Sequence, residues 1–307
     1  MAGTLYVVAT PIGNIADITD RARQVLADVD FIAAEDTRQT GLLLKALGIG
    51  NRVVSNHKFN EKHREDFILS ALAEGQDVAV VSDAGTPCMS DPGGIVVRAA
   101  VERGIGVTAV CGASAVAAAL SVCGFAFDSF AFYGFLPKSQ AGIRRSIADA
   151  AQARVDVSVF FDSPRRIMKS LAVFAADAPG AGLCLCNDLT KPYERIYRGA
   201  PQAVLEELAA NPSAEKGEYT LVCAWPVGGG DAVDGGDTGT GGGASERGSA
   251  AAGTYSSLSP EAAITDYLAK NGGTLKDAVN HLANERIYKR NALYKASLNL
   301  HKPLSGQ

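Results

Sequence analysis

From residue 5 to residue 110 short apolar, largely β-branched runs alternate with stretches of helical period, and no other feature restricts the fold as much. Leu5–Ala9, Phe31–Ala34, Arg52–Ser55, Val78–Ser82 and Val107–Val110 read as strands. Between them Ile18, Ala22, Val25 and Val29 recur at helical spacing, and helices are expected at Thr37–Leu47, Glu61–Glu74 and Gly94–Arg103. Parallel neighbours need a crossover, and crossover helices cover the sheet. The alternation therefore predicts a mostly parallel α/β sheet with helices on both faces.

Two of these strands end in loops suited to a ligand. Val80-Val81 runs into Ser82-Asp83-Ala84-Gly85-Thr86-Pro87, where an acid, a glycine and a proline follow a buried run at once. Leu5–Ala9 likewise runs into Thr10-Pro11-Ile12-Gly13-Asn14. Ligands in open α/β sheets bind beyond the carboxyl ends of strands, so two such loops imply one site.

A second alternating set follows the alanine-rich helix after Gly112-Ala113-Ser114-Ala115, which is expected to close a first domain near Phe125–Asp128. Strands are expected at Phe130–Tyr133, Val157–Phe161, Leu183–Cys186, Arg195–Tyr197 and Tyr219–Ala224, with helices at Gly142–Ala151, Pro164–Ala175 and Pro201–Ala210. The expected organisation is an α/β domain over residues 1–128, a smaller α/β domain over 129–227, a linker over 228–258 and a helical domain over 259–307. Glycine, serine, threonine and alanine dominate Gly228–Tyr255, which has no apolar period and reads as a flexible linker rather than a phosphate loop. Beyond it, Ser259-Pro260 has the N-cap and first-turn chemistry of a helix start, and helices are expected at Glu261–Lys270, Leu275–Asn284 and Lys289–Leu298.

Charge separates the parts. Residues 259–307 carry seven Lys/Arg against four Asp/Glu, a net of +3, and the remainder carries −7 within a total of −4. The net charge argues against nonspecific nucleic-acid binding by bulk electrostatics, and any RNA contact must be local. The basic tail is either a solvated helical cap or an RNA-docking module. Hydrophobic residues at 47% and charged residues at 20% fit a globular enzyme. No signal peptide or membrane-length apolar run is visible, so a cytoplasmic protein is expected, with neither membrane nor DNA as partner. The cysteines at 88, 111, 123, 184, 186 and 223 form no Cys-x-x-Cys pair and read as reduced core thiols; the four histidines form no His-Glu-x-x-His pattern, and no metal site is expected. Single-glycine Thr10–Asn14 is no dinucleotide fingerprint, and no P-loop exists.

Thr10–Asn14, Ala34-Glu35-Asp36-Thr37-Arg38, Ser82–Pro87, Ser90-Asp91-Pro92-Gly93 and Gly134-Phe135-Leu136-Pro137 occur in that order. Together they closely resemble the tetrapyrrole-methylase-fold (class III) methyltransferases, and within that family the members that act on small-subunit ribosomal RNA. The resemblance covers residues 4 to 224, with a further match at Lys289–Lys295. It implies two α/β domains with S-adenosylmethionine in the cleft between them, a cytidine ribose 2′-hydroxyl of small-subunit ribosomal RNA as acceptor, and a homodimer. A tetrapyrrole or other small acceptor is the alternative within the fold. A donor-binding assembly factor that has lost transfer is a third reading, motivated by departures from the family pattern: Asp162-Ser163-Pro164-Arg165-Arg166 stands where Glu-Ser-Pro-His-Arg is common, and Asn187-Asp188-Leu189-Thr190-Lys191 where Arg-Glu-Leu-Thr-Lys is common.

The residues divide into roles. Donor contact is expected from Pro11, Gly13, Ser82, Asp83, Ala84 and Gly85, although Asp83 could instead cap the segment after it. By resemblance Ser114, Ala115, Leu136, Thr190, Tyr219 and Thr220 complete the donor site; Ala115 and Leu136 read equally as core. Glu35 and Asp36 follow a strand end, where a general base would be useful, with Arg38 as a phosphate-binding cation; a structural ion pair is the alternative. His57 and Lys191 are weaker base candidates, and Lys191, Lys289, Arg290 and Lys295 are expected RNA contacts.

Overall fold

The computed structural model describes residues 2–56, 61–226, 259–271, 274–284, 288 and 290–300. The expected linker over 228–258, His57 and Lys289 lie outside the described residues. Two compact units are present, Met1–Trp225 and Pro226–Gln307.

The larger unit contains two five-stranded sheets. The first comprises β1 (Thr4–Val8), β2 (Phe31–Ala34), β3 (Val53–Ser55), β4 (Val78–Val81) and β5 (Gly106–Val110), in the order β3-β2-β4-β1-β5. Every pairing is parallel. Both faces are covered, which is why β2 and β4 read as unbroken apolar runs. Leu5, Phe31, Ala33, Val78 and Val80 pack with Ile68, Leu69 and Leu72 of α3 (Glu61–Ala73) and Val96 and Ala100 of α4 (Gly94–Glu102). Val8, Ile32, Ala34, Ala79 and Val81 pack on the other face with Ala22 and Leu26 of α1 (Asp20–Asp28) and Leu44 of α2 (Thr37–Leu47).

The second sheet comprises β6 (Phe130–Phe135), β7 (Val157–Asp162), β8 (Gly182–Asn187), β9 (Arg195–Gly199) and β10 (Tyr219–Ala224), in the order β6-β7-β10-β8-β9. Only β6 and β7 pair in parallel; the pairs of β10 with β7 and β8, and of β8 with β9, are antiparallel. One face packs against α6 (Gln140–Gln152), α7 (Ile167–Asp177) and α8 (Pro201–Ala209), burying Phe160, Leu183, Leu185, Tyr219 and Leu221. The other carries Val157, Val159, Cys184, Cys186 and Val222, packed against Val116, Ala119 and Leu120 of α5 (Ala115–Val122) and against Ile12 and Leu189. The alanine-rich helix expected to close the first domain thus lies on the second sheet, where its small side chains allow close packing. Cys123, Cys184, Cys186 and Cys223 are buried free thiols, but Cys88 and Cys111 are exposed rather than core.

Among the described residues the smaller unit has three helices, α9 (Pro260–Asn271), α10 (Leu275–Asn284) and α11 (Arg290–Leu300), around Ile264, Ala278, Leu282, Leu293 and Ala296. Ser259 Oγ accepts from Ala262 N at 3.2 Å and caps α9. Thr274 Oγ1 accepts from Asp277 N at 3.3 Å while the Asp277 carboxylate accepts from Thr274 N at 2.9 Å, a reciprocal cap for α10.

At the end of β7 the shortened acid of the family pattern is fully engaged. Asp162 is buried; Oδ1 accepts from Arg166 NH2 at 2.7 Å and from Ser163 N at 2.8 Å, and Oδ2 accepts from the Ser170 hydroxyl. Removing such an acid orphans several donors at once. Asp162→Ala is expected to lower unfolding free energy by about 1.5–3 kcal/mol, read from urea denaturation, the loss typical of hydrogen bonds to a charged group. A midpoint equal to the parent's would show that the network contributes nothing.

Candidate active site

The loops after β1 and β4 are joined through their backbones. Thr10 N donates to Gly85 O at 2.9 Å and Gly85 N to Thr10 O at 3.0 Å, an isolated antiparallel bridge between parallel strands. Thr10 Oγ1 adds a bond to Ser82 O at 3.1 Å. Gly85 has φ +80°, a region costly to any side chain, and a β-carbon there would stand 3.2 Å from Ile12 Cγ2. Thr86 Oγ1 donates to Ala113 O at 3.1 Å, tying in the segment before α5. Ser114 caps that helix, accepting from Ala117 N at 3.4 Å, and Ala115 is its first residue.

The second sheet closes the site from its β8–β9 loop. A β-carbon at Gly13 would come within 2.4 Å of Lys191 Cγ and 3.1 Å of Thr190 Oγ1, so only glycine permits this approach. Thr190 has φ +67° and its Oγ1 is buried with no partner among the described residues. A buried hydroxyl of this kind calls for a water or ligand group. Pro11, Gly13, Ser82, Asp83, Ala84, Gly85, Ser114, Ala115 and Thr190 are thus gathered by contacting loops.

Four carboxylates share this region. Asp83 Oδ1 accepts from Asp36 N at 3.0 Å, so it ties two loops together instead of capping its own segment. Burial, followed by the charges of Glu35, Asp83 and Glu218, pushes the Asp91 carboxyl up to about 6. Asp91 was visible within Ser90–Gly93, but its local sequence gives no hint of neighbours so distant in the chain.

Several expected roles are taken by structure. Asp36 is the N-cap of α2 and pairs with Arg38 at 2.7 Å. The Arg38 guanidinium and backbone N–H hold its carboxyl down to about 2, leaving it a poor base. Aspartate directly before a helix start was the available signal. Lys191 Nζ lies 2.8 Å from both Asp188 and Glu218. Burial opposes its charge and the two carboxylates more than offset that, so the ammonium is held above its ordinary range and is neither a base nor a free phosphate ligand. Leu136 is core, and its carbonyl accepts from Arg166 NH1 at 3.3 Å. Tyr219 points away from the loops: its hydroxyl donates to Ala214 O at 2.8 Å, and burial pushes it up to about 12. Thr220, on the opposite strand face, shares the side of Cys186 and Val222 that packs towards Ile12. In the separate helical unit Lys295 is exposed; Arg290 begins α11.

A model of the tetrapyrrole (corrin/porphyrin) methylases matches residues 4–204. The chain belongs to this family. Relatives named ribosomal RNA small subunit methyltransferase I include one from Escherichia coli O157:H7, 42% identical over 72% of this chain and 77% of its own length, and one from Neisseria meningitidis serogroup A, 45% identical over 72% and 76%. Another, from Halalkalibacterium halodurans, is 35% identical over 95% of this chain and 93% of the relative, so it also matches the helical unit. The same fold appears in a diphthine synthase, with TM-score 0.56 and 16% identity over 72% of this chain and 90% of that one. It appears too in a Thermus thermophilus uroporphyrin-III C-methyltransferase complexed with S-adenosyl homocysteine, with TM-score 0.51 and 18% identity over 72% and 97%.

The Asp91 shift has a signed consequence. Its folded value of about 6 lies above the reference 3.8, so the folded chain retains a proton that the unfolded chain has lost, and stability falls as pH rises between them. Asp91→Asn is expected to raise the melting temperature of the ligand-free protein above pH 6, with the gain disappearing towards pH 4. Equal melting temperatures across that range would remove Asp91 from the carboxylate cluster.

Proposed function

We propose that this chain is an S-adenosylmethionine-dependent methyltransferase of small-subunit ribosomal RNA, with a cytidine ribose 2′-hydroxyl as acceptor. The observation that carries the reading is the match to ribosomal RNA small subunit methyltransferase I relatives, extending in one case over 95% of the chain. The site fits the donor: it offers an orphaned hydroxyl at Thr190, loop backbone that glycine keeps open at Gly85, and carboxylates at Glu35, Asp83, Asp91 and Glu218. The donor supplies a cationic sulfonium carrying the methyl group. Such a cation suits an acidic cleft, whereas the phosphates of an acceptor strand do not.

On this reading the chain's own residues bind, orient and remove a proton. Pro11, Gly13 and the Ser82–Gly85 loop hold the donor, with Ser114, Ala115, Thr190 and Thr220 along the other wall. Holding the two reactants in line can lower the barrier by up to about 7–11 kcal/mol, and a positioned base adds about 10²–10⁴-fold. Glu35 and Asp91 are the base candidates: Glu35 directly follows β2, and the Asp91 carboxyl beside it is pushed up to about 6. Lys289, Arg290 and Lys295 of the helical unit serve the RNA, whereas Arg38, expected beside them, is held by Asp36. The domain divisions at 128, 227 and 258, a homodimer and a cytoplasmic site of action belong to the same proposal.

Two experiments test it. Gly85→Leu is expected to weaken donor affinity at least about tenfold, or ~1.4 kcal/mol, by calorimetry; unchanged affinity in a folded variant removes the loop from the donor site. Deleting residues 259–307 is expected to leave donor binding intact and sharply reduce methylation of small ribosomal subunits with tritiated donor. Full activity of the truncated chain across a salt series would make the tail a structural cap, and methylation of a corrinoid precursor in place of RNA would replace the acceptor.

A further inference from the structure

The acidity of the donor cleft raises a problem for a nucleic-acid acceptor. A phosphate entering beside Glu35, Asp83, Asp91 and Glu218 would meet like charge, and the nearby cations are occupied: Arg38 by Asp36, and Lys191 by Asp188 and Glu218. The strand needs another place to rest its phosphates.

A cavity of about 560 Å³ lies at the carboxyl ends of the parallel pair β6 and β7, lined by Phe135, Leu136, Pro137, Lys138, Ser163, Arg165 and Arg166. Ligand pockets commonly span about 300–1,000 Å³, enough for one nucleotide. Its edge strand β6 is irregular, with a register shift between Phe132 and Phe135 and φ +68° at Gly134. Such bulges re-aim side chains. Here Phe135 is left 58% exposed, with its ring 5.4 Å from Phe161 in an edge-on contact. Phe161 belongs to the sheet face shared with α5 and Ile12, so Phe135 is on the side of the donor loops. A β-carbon on Gly134 would stand 3.1 Å from Ser90 Oγ, which places the groove beside the loop carrying Asp91.

The cations at the rim differ in availability. Arg166 is committed to Asp162, Ser163 Oγ and Leu136 O. Lys138 and Arg165 are exposed and form no ion pair among the described residues. Arg165 also stands where the family pattern commonly has histidine, adding a permanent charge. An exposed ring flanked by unpaired cations suits a single strand, whose bases stack on aromatics and whose phosphates take the charge.

We propose that this groove is an RNA subsite: Phe135 stacks on a base flanking the methylated nucleotide, and Lys138 and Arg165 hold the adjoining phosphates. The proposal rests on the RNA-methyltransferase reading and adds to it where the strand enters.

The test uses the full chain, saturated with S-adenosylhomocysteine, and a fluorescein-labelled single-stranded fragment of small-subunit ribosomal RNA, titrated by anisotropy over a salt series. The double variant Lys138→Ala/Arg165→Ala is expected to bind at least about tenfold more weakly, with a salt slope shallower by about 0.7 for each phosphate that is no longer held. Phe135→Ala is expected to weaken binding with the slope unchanged, and Phe135→Trp to restore it. Melting temperatures and calorimetric donor affinity equal to the parent's identify folded variants. Parent-like RNA affinity and slope in both variants, while the parent methylates subunits, overturn the groove and leave the function standing. A parent chain that neither binds this RNA nor methylates subunits overturns both. If sedimentation shows Phe135→Ala dissociating a dimer while RNA affinity is unchanged, the face belongs to a second copy of the chain and the RNA subsite is wrong.

Discussion

The backbone bridge between Thr10 and Gly85 is the constraint on which the site depends, because it fixes the two loops that leave the sheet centre. β1 and β4 are neighbours in a parallel sheet, so their carboxyl ends arrive side by side and their loops could splay apart. Two reciprocal hydrogen bonds, with Thr10 Oγ1 reaching Ser82 O, prevent this. Ile12 is then pinned into the second sheet's core with Val159, Cys186 and Val222, and Gly13 is brought against the β8–β9 loop. The bridged loops thereby contact the second sheet through Ile12 and Gly13. The positive φ at Gly85 is the conformational condition for the bridge.

Charge is distributed in the same economical way. Ion pairs inside the site hold its loops in place: Asp36 with Arg38 stiffens the start of α2, and Lys191 bridges Asp188 to Glu218 across two chain segments. Exposed pairs contribute little to stability in water, so their main effect here is positional. Asp91 is different, because burial and three neighbouring carboxylates raise its proton affinity. Like charges held this close favour a proton or a cationic group beside them over an anion.

Most of the fold was legible because its elements obey strong periods. The central strands of the first sheet are buried on both faces, and their unbroken Val, Ile and Ala runs told parallel pairing from the crossovers between them. The same signal was ambiguous in the second sheet, where β7, β8 and β10 are equally apolar and yet largely antiparallel; an apolar run carries no direction. That the loops after β1 and β4 meet was readable from glycine, proline and acid at strand ends. What could not be read was the use of each side chain. Tyr219 and Thr220 are adjacent in one buried strand, but Tyr219 turns to the Ala214 carbonyl and Thr220 to the opposite face. Leu136 is core, and Asp91 becomes conspicuous only when distant carboxylates converge on it.

The departures from the family pattern can be weighed against this geometry. Asp162 has one methylene fewer than glutamate, yet Arg166, Ser163 and Ser170 all reach it, so the shorter acid is accommodated within a closed network. Asn187 forgoes a guanidinium, and its amide donates to Glu218 O at 3.4 Å, joining the end of β8 to the start of β10. Neither change touches the loops after β1 and β4, which are held by contacts at Thr10, Gly85 and Thr86. A third departure, at Arg165, moves positive charge to the rim of the β6–β7 groove. The exchanges remove cationic character from the strand end beside Glu218 and add it beside the exposed aromatic of β6, the distribution on which the proposed separation of donor cleft and RNA groove rests.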